Sequence, residues 1–216
     1  MKTEREYRDM TMAIVPEIRE EEEQEGRMMV RGYATTFNEP YTLIEDRDFR
    51  FDEVVSETAF TDTDMSDVIM QYNHEGRVFA RTRNNTLTVT PDEKGLLIEA
   101  DLGGTELGRQ LYEEIKGGYT DRMSFGFTVD GEDRLEEEDP AGNVRITRTI
   151  TSIRKLYDVS AVSIPANDAT SISVRNLTDG EIKRIQTERS ERKELELMRK
   201  RAQLKARILG GIKNDD

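Results

Sequence analysis

His74 is the only histidine among 216 residues, and the chain has no cysteine. Histidine is the side chain that most often acts as a general base near neutral pH, so a histidine-assisted reaction here has to use His74. The lack of cysteine removes thiol nucleophiles and leaves the hydroxyl of a serine or threonine. The chemical question is therefore which hydroxyl meets His74 and which acid orients its ring.

Ser124 is a candidate nucleophile within the segment RMSFGF, residues 122–127. Side chains alternate between two faces of a strand, which places Met123, Phe125 and Phe127 together on the core face. Ser124 and Gly126 share the opposite face, where the glycine is expected to leave that side open to a substrate backbone. A serine on the outer face of a strand is more often structural than catalytic, and this segment alone does not separate the two.

Asp158 is a candidate orienting acid within the segment LYDVSAVSIPAN, residues 156–167. A carboxylate inside an apolar strand is costly unless it is paired. A histidine N–H is one natural partner and would fix the ring's tautomer; backbone N–H groups at a strand edge are the other. A metal site would have only oxygen ligands beside the single histidine, and no metal or cofactor is predicted.

The composition limits the classes of protein to which the chain can belong. Hydrophobic residues make up 35% and charged residues 36%, so we expect part of the chain to lie outside a packed core. The net charge is −13, but residues 177–216 carry 11 basic and 8 acidic side chains, which leaves −16 on residues 1–176. Such an acidic body disfavours nucleic-acid binding. No apolar run approaches the roughly 20 residues of a membrane span, so a soluble protein is expected.

The pattern of apolar residues predicts the elements that must position these side chains. Strands are expected over residues 28–37, 68–72, 122–130, 143–153 and 156–164, and a β-hairpin over residues 87–101. Thr105–Lys116 reads as a helix, with Leu107, Leu111 and Ile115 in one stripe, Thr105 as N-cap and glycines after its end. Residues 132–142 are acidic and predict an exposed loop.

Three regions are predicted along the chain: a polar N-terminal segment over residues 1–26, a domain over residues 27–176, and a charged helical tail over residues 177–216. The run EEEEQEG at residues 20–26 is typical of solvated loop. The tail has no proline and a loose 3-4 spacing of apolar residues, which is typical of a solvated helix, a coiled-coil arm or a partner-binding segment.

The order of these segments resembles the prohead maturation proteases of tailed bacteriophages, which are related in fold to the herpesvirus assemblin proteases. The resemblance runs from about Val30 to Arg175. Its motifs are GYA (32–34) before FN (37–38), YNHE (72–75), GL (95–96), RMSFGF (122–127), and DVS (158–160) before IPAN (164–167). Ser124 matches the family's nucleophile, His74 its base and Asp158 its acidic partner, where the family more commonly has glutamate.

The resemblance implies an α+β fold, with a mainly antiparallel β-barrel-like core, surrounding helices and the C-terminal helical tail. It also implies a serine endopeptidase in the host cytoplasm, inside the immature procapsid. Its expected partners are the major capsid protein or a scaffold protein, with self-association and self-cleavage also implied. The charged tail would then target the protease to the scaffold or capsid and be removed by self-cleavage. Oxyanion donors would be backbone N–H groups near Ser124 or, less favoured, Arg122.

Two alternatives remain at the level of sequence. A catalytically inactive capsid assembly or scaffolding protein could retain the protease fold, although the presence of all three candidate residues argues against it. A metal-dependent hydrolase could use His74 with nearby acids. Replacement of Ser124 and sensitivity to a chelator would separate these alternatives from a serine protease.

Overall fold

The computed structural model describes residues 5–17, 27–163, 187–188 and 190–205. The chain splits into two compact units, Met1–Val174 and Arg175–Asp216. The first is an α+β unit made mainly of strands, as predicted. In the second, residues 187–188 and 190–205 are helical, and the rest of the predicted tail lies outside the described residues. The regional boundaries predicted at 26/27 and 176/177 border or fall within undescribed segments and stay predictions.

The strands alternate with short connections over most of the first unit. They are β1 (Glu6–Pro16), β2 (Met29–Thr36), β3 (Tyr41–Asp46), β4 (Phe49–Val55), β5 (Ile69–Tyr72), β6 (Glu75–Arg81), β7 (Leu87–Pro91), β8 (Gly95–Asp101), β9 (Arg122–Glu138) and β10 (Val144–Val162). A 3₁₀ turn spans Thr82–Asn84, and a helix, α1 (Glu106–Lys116), joins β8 to β9. Among the described residues, no helix is long and apolar enough to cross a membrane.

The strands form one mixed sheet in the order β3-β4-β10-β9-β1-β2-β8-β7, with β5 paired to β10 and β6 paired to β5. β10 pairs in parallel with β4 and β5, and the other pairs are antiparallel. Within the described residues the end strands β3 and β7 do not pair, so the expected barrel does not close. Closure depends on strand tilt and stagger across the whole sheet, which local patterns do not encode.

Helix α1 begins and ends where the sequence predicts. The side chain of Thr105 accepts a hydrogen bond from the backbone N–H of Gly108, which satisfies one of the unpaired donors of the first turn. Leu111 and Ile115 are buried in the core, whereas Leu107 from the same predicted stripe is 39% exposed. The packed face of the helix is therefore shifted toward Tyr112, which is also buried.

Strands β9 and β10 form a long hairpin, and here two predictions were wrong. The segment predicted as a loop, residues 132–142, is strand as far as Glu138, and the connection is only the turn before Val144. The two strands predicted over 143–153 and 156–164 are one continuous strand as far as Val162, with register shifts between Ile150 and Asp158. Within residues 132–138 each acidic residue pairs across the hairpin with β10, so backbone pairing outweighs the low strand propensity of glutamate.

Strand β1 was missed from the sequence, since no strand was predicted within residues 1–26. Its first part pairs with β9, its last part pairs with β2, and a register shift lies between Met10 and Ala13. The alternating buried side chains at its start are Glu6 and Arg8. Their burial depends on ionic partners from distant strands, which a hydropathy pattern cannot reveal.

Candidate active site

His74 lies in the two-residue turn that joins β5 to β6. Tyr72 and Glu75 are the last cross-strand pair, and both Asn73 and His74 have positive φ, 51° and 60°. Tight hairpin turns of this kind need positive φ at both central residues because their twist then matches that of the strands. Asparagine and histidine are both over-represented in this conformation, and non-glycine residues held in it are concentrated at functional sites.

The turn is attached to the end of β10. The backbone N–H of Asn73 donates to the carbonyl of Ala161 at 3.0 Å, and the backbone N–H of His74 donates to Ser160 Oγ at 3.2 Å. These bonds extend the parallel pairing of β5 with β10. They hold the imidazole ring over the hairpin of β9 and β10.

The register of β9 and β10 places the other two candidate residues on one face. Ser124 lies directly opposite Ser160, and Gly126 lies opposite Asp158. Opposed residues of antiparallel strands project to the same side of a sheet. Ser124 and Asp158 therefore project to one side, although 34 positions separate them in sequence.

The His74 ring joins the two residues. Its Nε2 is hydrogen-bonded to Ser124 Oγ, and its Nδ1 is 2.5 Å from Asp158 Oδ1. Nδ1–H donating to the carboxylate would leave Nε2 free to accept the serine proton, which is the tautomer that general-base catalysis needs. All three residues singled out from the sequence thus come together in the structure.

Neither of the other nearby acids takes the place of Asp158 in these contacts. Asp121 forms an ion pair with Arg122 at 3.3 Å, and Glu75 is the first residue of β6, exposed to solvent. The guanidinium of Arg122, the less favoured oxyanion donor, therefore contacts a carboxylate in this state. Among the described residues, no group of three or more acidic or histidine side chains could hold a metal ion.

Asp158 is fully buried, and its carboxylate has two polar contacts besides the one with His74. Ser160 Oγ donates to Oδ1 at 3.0 Å, and Arg5 Nη2 donates to Oδ2. Burial lowers the pKa of the Arg5 guanidinium from its ordinary value, but arginine stays charged at neutral pH. The buried carboxylate is therefore both hydrogen-bonded and neutralised.

Ser124 is less accessible than the sequence predicted. Its exposed fraction is 0%, whereas 15% of the His74 side chain is exposed. Ser124 Oγ also lies 2.9 Å from the carbonyl oxygen of Arg8 in β1. A peptide carbonyl can reach this hydroxyl only after neighbouring side chains shift.

Gly126 does not leave an open side, which corrects the expectation for this position. A Cβ there would lie 2.4 Å from Asp158 Oδ2 and 2.9 Å from both Arg5 Nε and the Tyr7 ring. The glycine gives space to the carboxylate, to Tyr7 of β1 and to Arg5, which directly precedes that strand. Arg5, Tyr7 and Ser160 were all missed from the sequence; the one usable signal was the need of a buried Asp158 for a cationic partner.

Comparison with known proteins gives two matches. Residues 16–184 match the family described as caudovirus prohead serine protease. The chain is also 25% identical over 165 residues to the prohead protease of Escherichia phage T5, an overlap of 74% of this chain and 68% of the phage T5 protein. No solved structure is significantly similar to this chain.

Proposed function

This chain belongs to the caudovirus prohead serine protease family, and on that premise we propose that Ser124, His74 and Asp158 form its catalytic triad. The chain is a serine protease of phage prohead maturation. The observation that carries the triad is the His74 ring, bonded through Nε2 to Ser124 and through Nδ1 to Asp158. Kinship in fold with the herpesvirus assemblin proteases stays a prediction.

The proposed mechanism follows from these contacts. Ser124 Oγ attacks the carbonyl carbon of the scissile peptide while His74 Nε2 takes its proton. Asp158 holds the ring in the reactive tautomer and stabilises the imidazolium that forms. His74 then gives the proton to the leaving amine, and a water molecule, activated in the same way, releases the acyl group. Backbone N–H groups near Ser124 are the proposed donors to the oxyanion.

The proposed substrates are the scaffold protein or the scaffold-like segment of the major capsid protein, and then the protease itself. The phage T5 relative is a prohead protease, which supports action inside the immature shell. Cleavage there would remove internal protein and allow the shell to mature. Membership of a serine protease family disfavours the alternative, a catalytically inactive assembly factor that would have no need of a reactive Ser124.

The first prediction tests the triad and the alternative together. Ser124→Ala and His74→Ala should each lower cleavage of the co-expressed coat protein by roughly 10⁴- to 10⁶-fold, because the nucleophile or its base is missing. Gel analysis of the shells measures processing, and thermal unfolding of each variant checks that the fold remains. Wild-type processing by Ser124→Ala would exclude the serine mechanism.

A further inference from the structure

Arg5 and the first residues of strand β1, which follows it directly, present alternate side chains to two different environments. Arg5 and Tyr7 lie on the side of the proposed triad, where Arg5 donates to Asp158 and the edge of the Tyr7 ring meets the His74 ring, with centroids 4.5 Å apart. Glu6 and Arg8 project to the other side and are buried. This alternation follows from the period of two in a strand.

The buried side of β1 is held by a network of ion pairs. Arg8 donates to Glu53 of β4 at 2.5 Å and to Glu6 at 2.7 Å. Arg148 of β10 donates to Glu53 at 2.6 Å and to Glu6 at 2.8 Å. Removing one partner from such a buried set leaves an uncompensated buried charge and is strongly destabilising. The strand that directly follows Arg5 is therefore fixed relative to β4 and β10.

The guanidinium of Arg5 is also fixed by its neighbours. It lies 5.0 Å from the ring centroid of Tyr7 and 4.6 Å from that of Tyr157, so two aromatic rings flank it. Cation–π contacts of this kind favour a charged group at that place. One oxygen of Asp158 faces His74 and Ser160, and the other faces Arg5. The two sides of the carboxylate are thus set by different strands.

We infer that Arg5 is a positioning residue of the proposed catalytic centre, which binds Asp158 Oδ2 and thereby holds Oδ1 against the His74 ring. The inference rests on the proposed function. It also makes the N-terminal strand β1 part of the active site, although the residues that match the family begin only at position 16. Arg5 acts on Ser124 through Asp158 and His74.

The reactivity of Ser124 tests this inference without knowledge of the natural substrate. A fluorophosphonate probe reacts with an activated serine, and its labelling rate on the full-length chain reports the state of the triad. The Ser124→Ala variant measures background labelling at sites other than Ser124. Arg5→Ala should lower the labelling rate about 10- to 100-fold, less than the roughly 10⁴-fold loss expected when the triad acid itself is replaced. Arg5→Lys, which keeps the charge, should recover part of the rate.

Two controls separate positioning from a structural role. Guanidinium chloride below its unfolding range should restore part of the rate to Arg5→Ala, whereas sodium chloride at equal ionic strength should not. Arg31→Ala changes an arginine of the neighbouring strand β2, whose nearest carboxylates are 3.9 and 4.0 Å away, and should label like wild type. Thermal unfolding confirms folding, and Arg5→Gln replaces Arg5→Ala if the alanine variant unfolds.

The outcomes distinguish the two levels of the proposal. If wild type and Arg5→Ala label equally, the positioning role is overturned while the triad stands. If Arg5→Ala labels slowly but is not rescued by guanidinium, and Arg5→Lys is equally slow, Arg5 serves the fold and the inference is also overturned. If wild-type Ser124 is not labelled, the proposed triad fails, and the inference fails with it.

Discussion

The hydroxyl of Ser124 has two acceptors within reach but a single proton to donate. His74 Nε2 and the carbonyl oxygen of Arg8 both contact Oγ, and only one of them can receive the hydrogen bond at a time. Donation to His74 is the arrangement that precedes attack, whereas donation to Arg8 leaves the base unengaged. At the scale of the residue, the backbone of β1 therefore competes with the base for the serine proton.

The acid should matter less to turnover than the nucleophile. Asp158→Asn replaces the acceptor at Nδ1 with an amide that can donate, so the ring is expected to spend much of its time in the wrong tautomer. Cleavage of coat protein should fall about 10⁴-fold yet remain above that of Ser124→Ala. Time courses of processing measure the difference. Equal residual activity in the two variants would contradict the orienting role.

Gly126 should tolerate no side chain at all. In Gly126→Ala the new Cβ would meet Asp158, Arg5 and Tyr7, and overpacking of this kind typically costs about 1–3 kcal/mol. We expect the free energy of unfolding to fall by that amount and coat protein cleavage by more than about tenfold, because the carboxylate must move away from His74. Gly104→Ala is the matched control, since no heavy atom lies within 4 Å of its Cβ position; it should resemble wild type in both measurements.

At the scale of the element, one turn, one hairpin and one strand determine where the chemistry can occur. The β5–β6 turn aims the histidine, the β9–β10 hairpin sets Ser124 opposite Ser160, and β1 brings Arg5 to Asp158. Each depends on backbone pairing rather than on side-chain recognition alone. A slip of one residue between β9 and β10 would move Ser124 to the core face.

Because buried ion pairs hold β1, we expect the free energy of unfolding to depend on pH. Burial by itself raises the pKa of Glu53, but the ion pairs, first with Arg8, outweigh it and lower the pKa from 4.5 to about 2. A carboxyl with a depressed pKa in the folded state stabilises the protein above its ordinary pKa and loses that contribution as pH falls toward 2. The linked stabilisation is on the order of 3 kcal/mol.

Glu53→Gln tests this expectation in urea unfolding at several pH values. The variant should be less stable than wild type at pH 7 by about 3–5 kcal/mol, because two buried arginines lose a shared partner, and the difference should narrow as pH falls from about 4.5 toward 2. Glu45→Gln is the control, as Glu45 is 67% exposed and lies 3.5 Å from Arg50. If the free energies of unfolding of wild type and Glu53→Gln differ by the same amount at every pH, the lowered pKa of Glu53 is contradicted.

At the scale of the whole molecule, net charge is distributed unevenly along the chain. Residues 1–176 carry a net charge of −16, and residues 177–216 carry +3. All the candidate catalytic residues lie in the first unit, and the described helix of the second unit has exposed Leu195, Met198 and Leu204. An isolated helix of this kind is marginally stable in water and gains stability from a partner. We therefore propose a targeting role for the tail, in which it binds scaffold or capsid protein and brings the protease into the shell.

Truncation after Asn176 should separate the two roles. The shortened chain should keep its fold and the wild-type rate of fluorophosphonate labelling at Ser124, because the proposed triad and its supporting strands remain. Co-expressed with coat protein, it should give uncleaved shells that lack protease. Efficient packaging of the truncated chain would overturn the targeting role, and loss of folding would show that the tail belongs to the core.

The sequence by itself determined which side chains are available for catalysis, and it predicted the strands and the helix that have a regular apolar pattern. A single histidine and no cysteine leave few possible reactions, and alternation or 3-4 spacing predicts β2, the β7–β8 hairpin and α1 because their buried faces are apolar. The strands that it missed, such as β1 and β4, bury charged residues that include Arg8, Asp52 and Glu53. A hydropathy pattern scores such segments as exposed.

Tertiary structure alone decided what surrounds the three candidate residues. Sequence analysis placed Ser124 on an open face, but the fold covers it with β1 and fills the space beside Gly126 with Arg5 and Tyr7. It also decided that the sheet stays open in the described residues, since closure depends on which strands meet at its ends. The covering of Ser124 and Asp158 depends on contacts between positions more than 100 residues apart. The physical reason it escapes prediction is that a local pattern carries no information on which distant charge will neutralise a buried one.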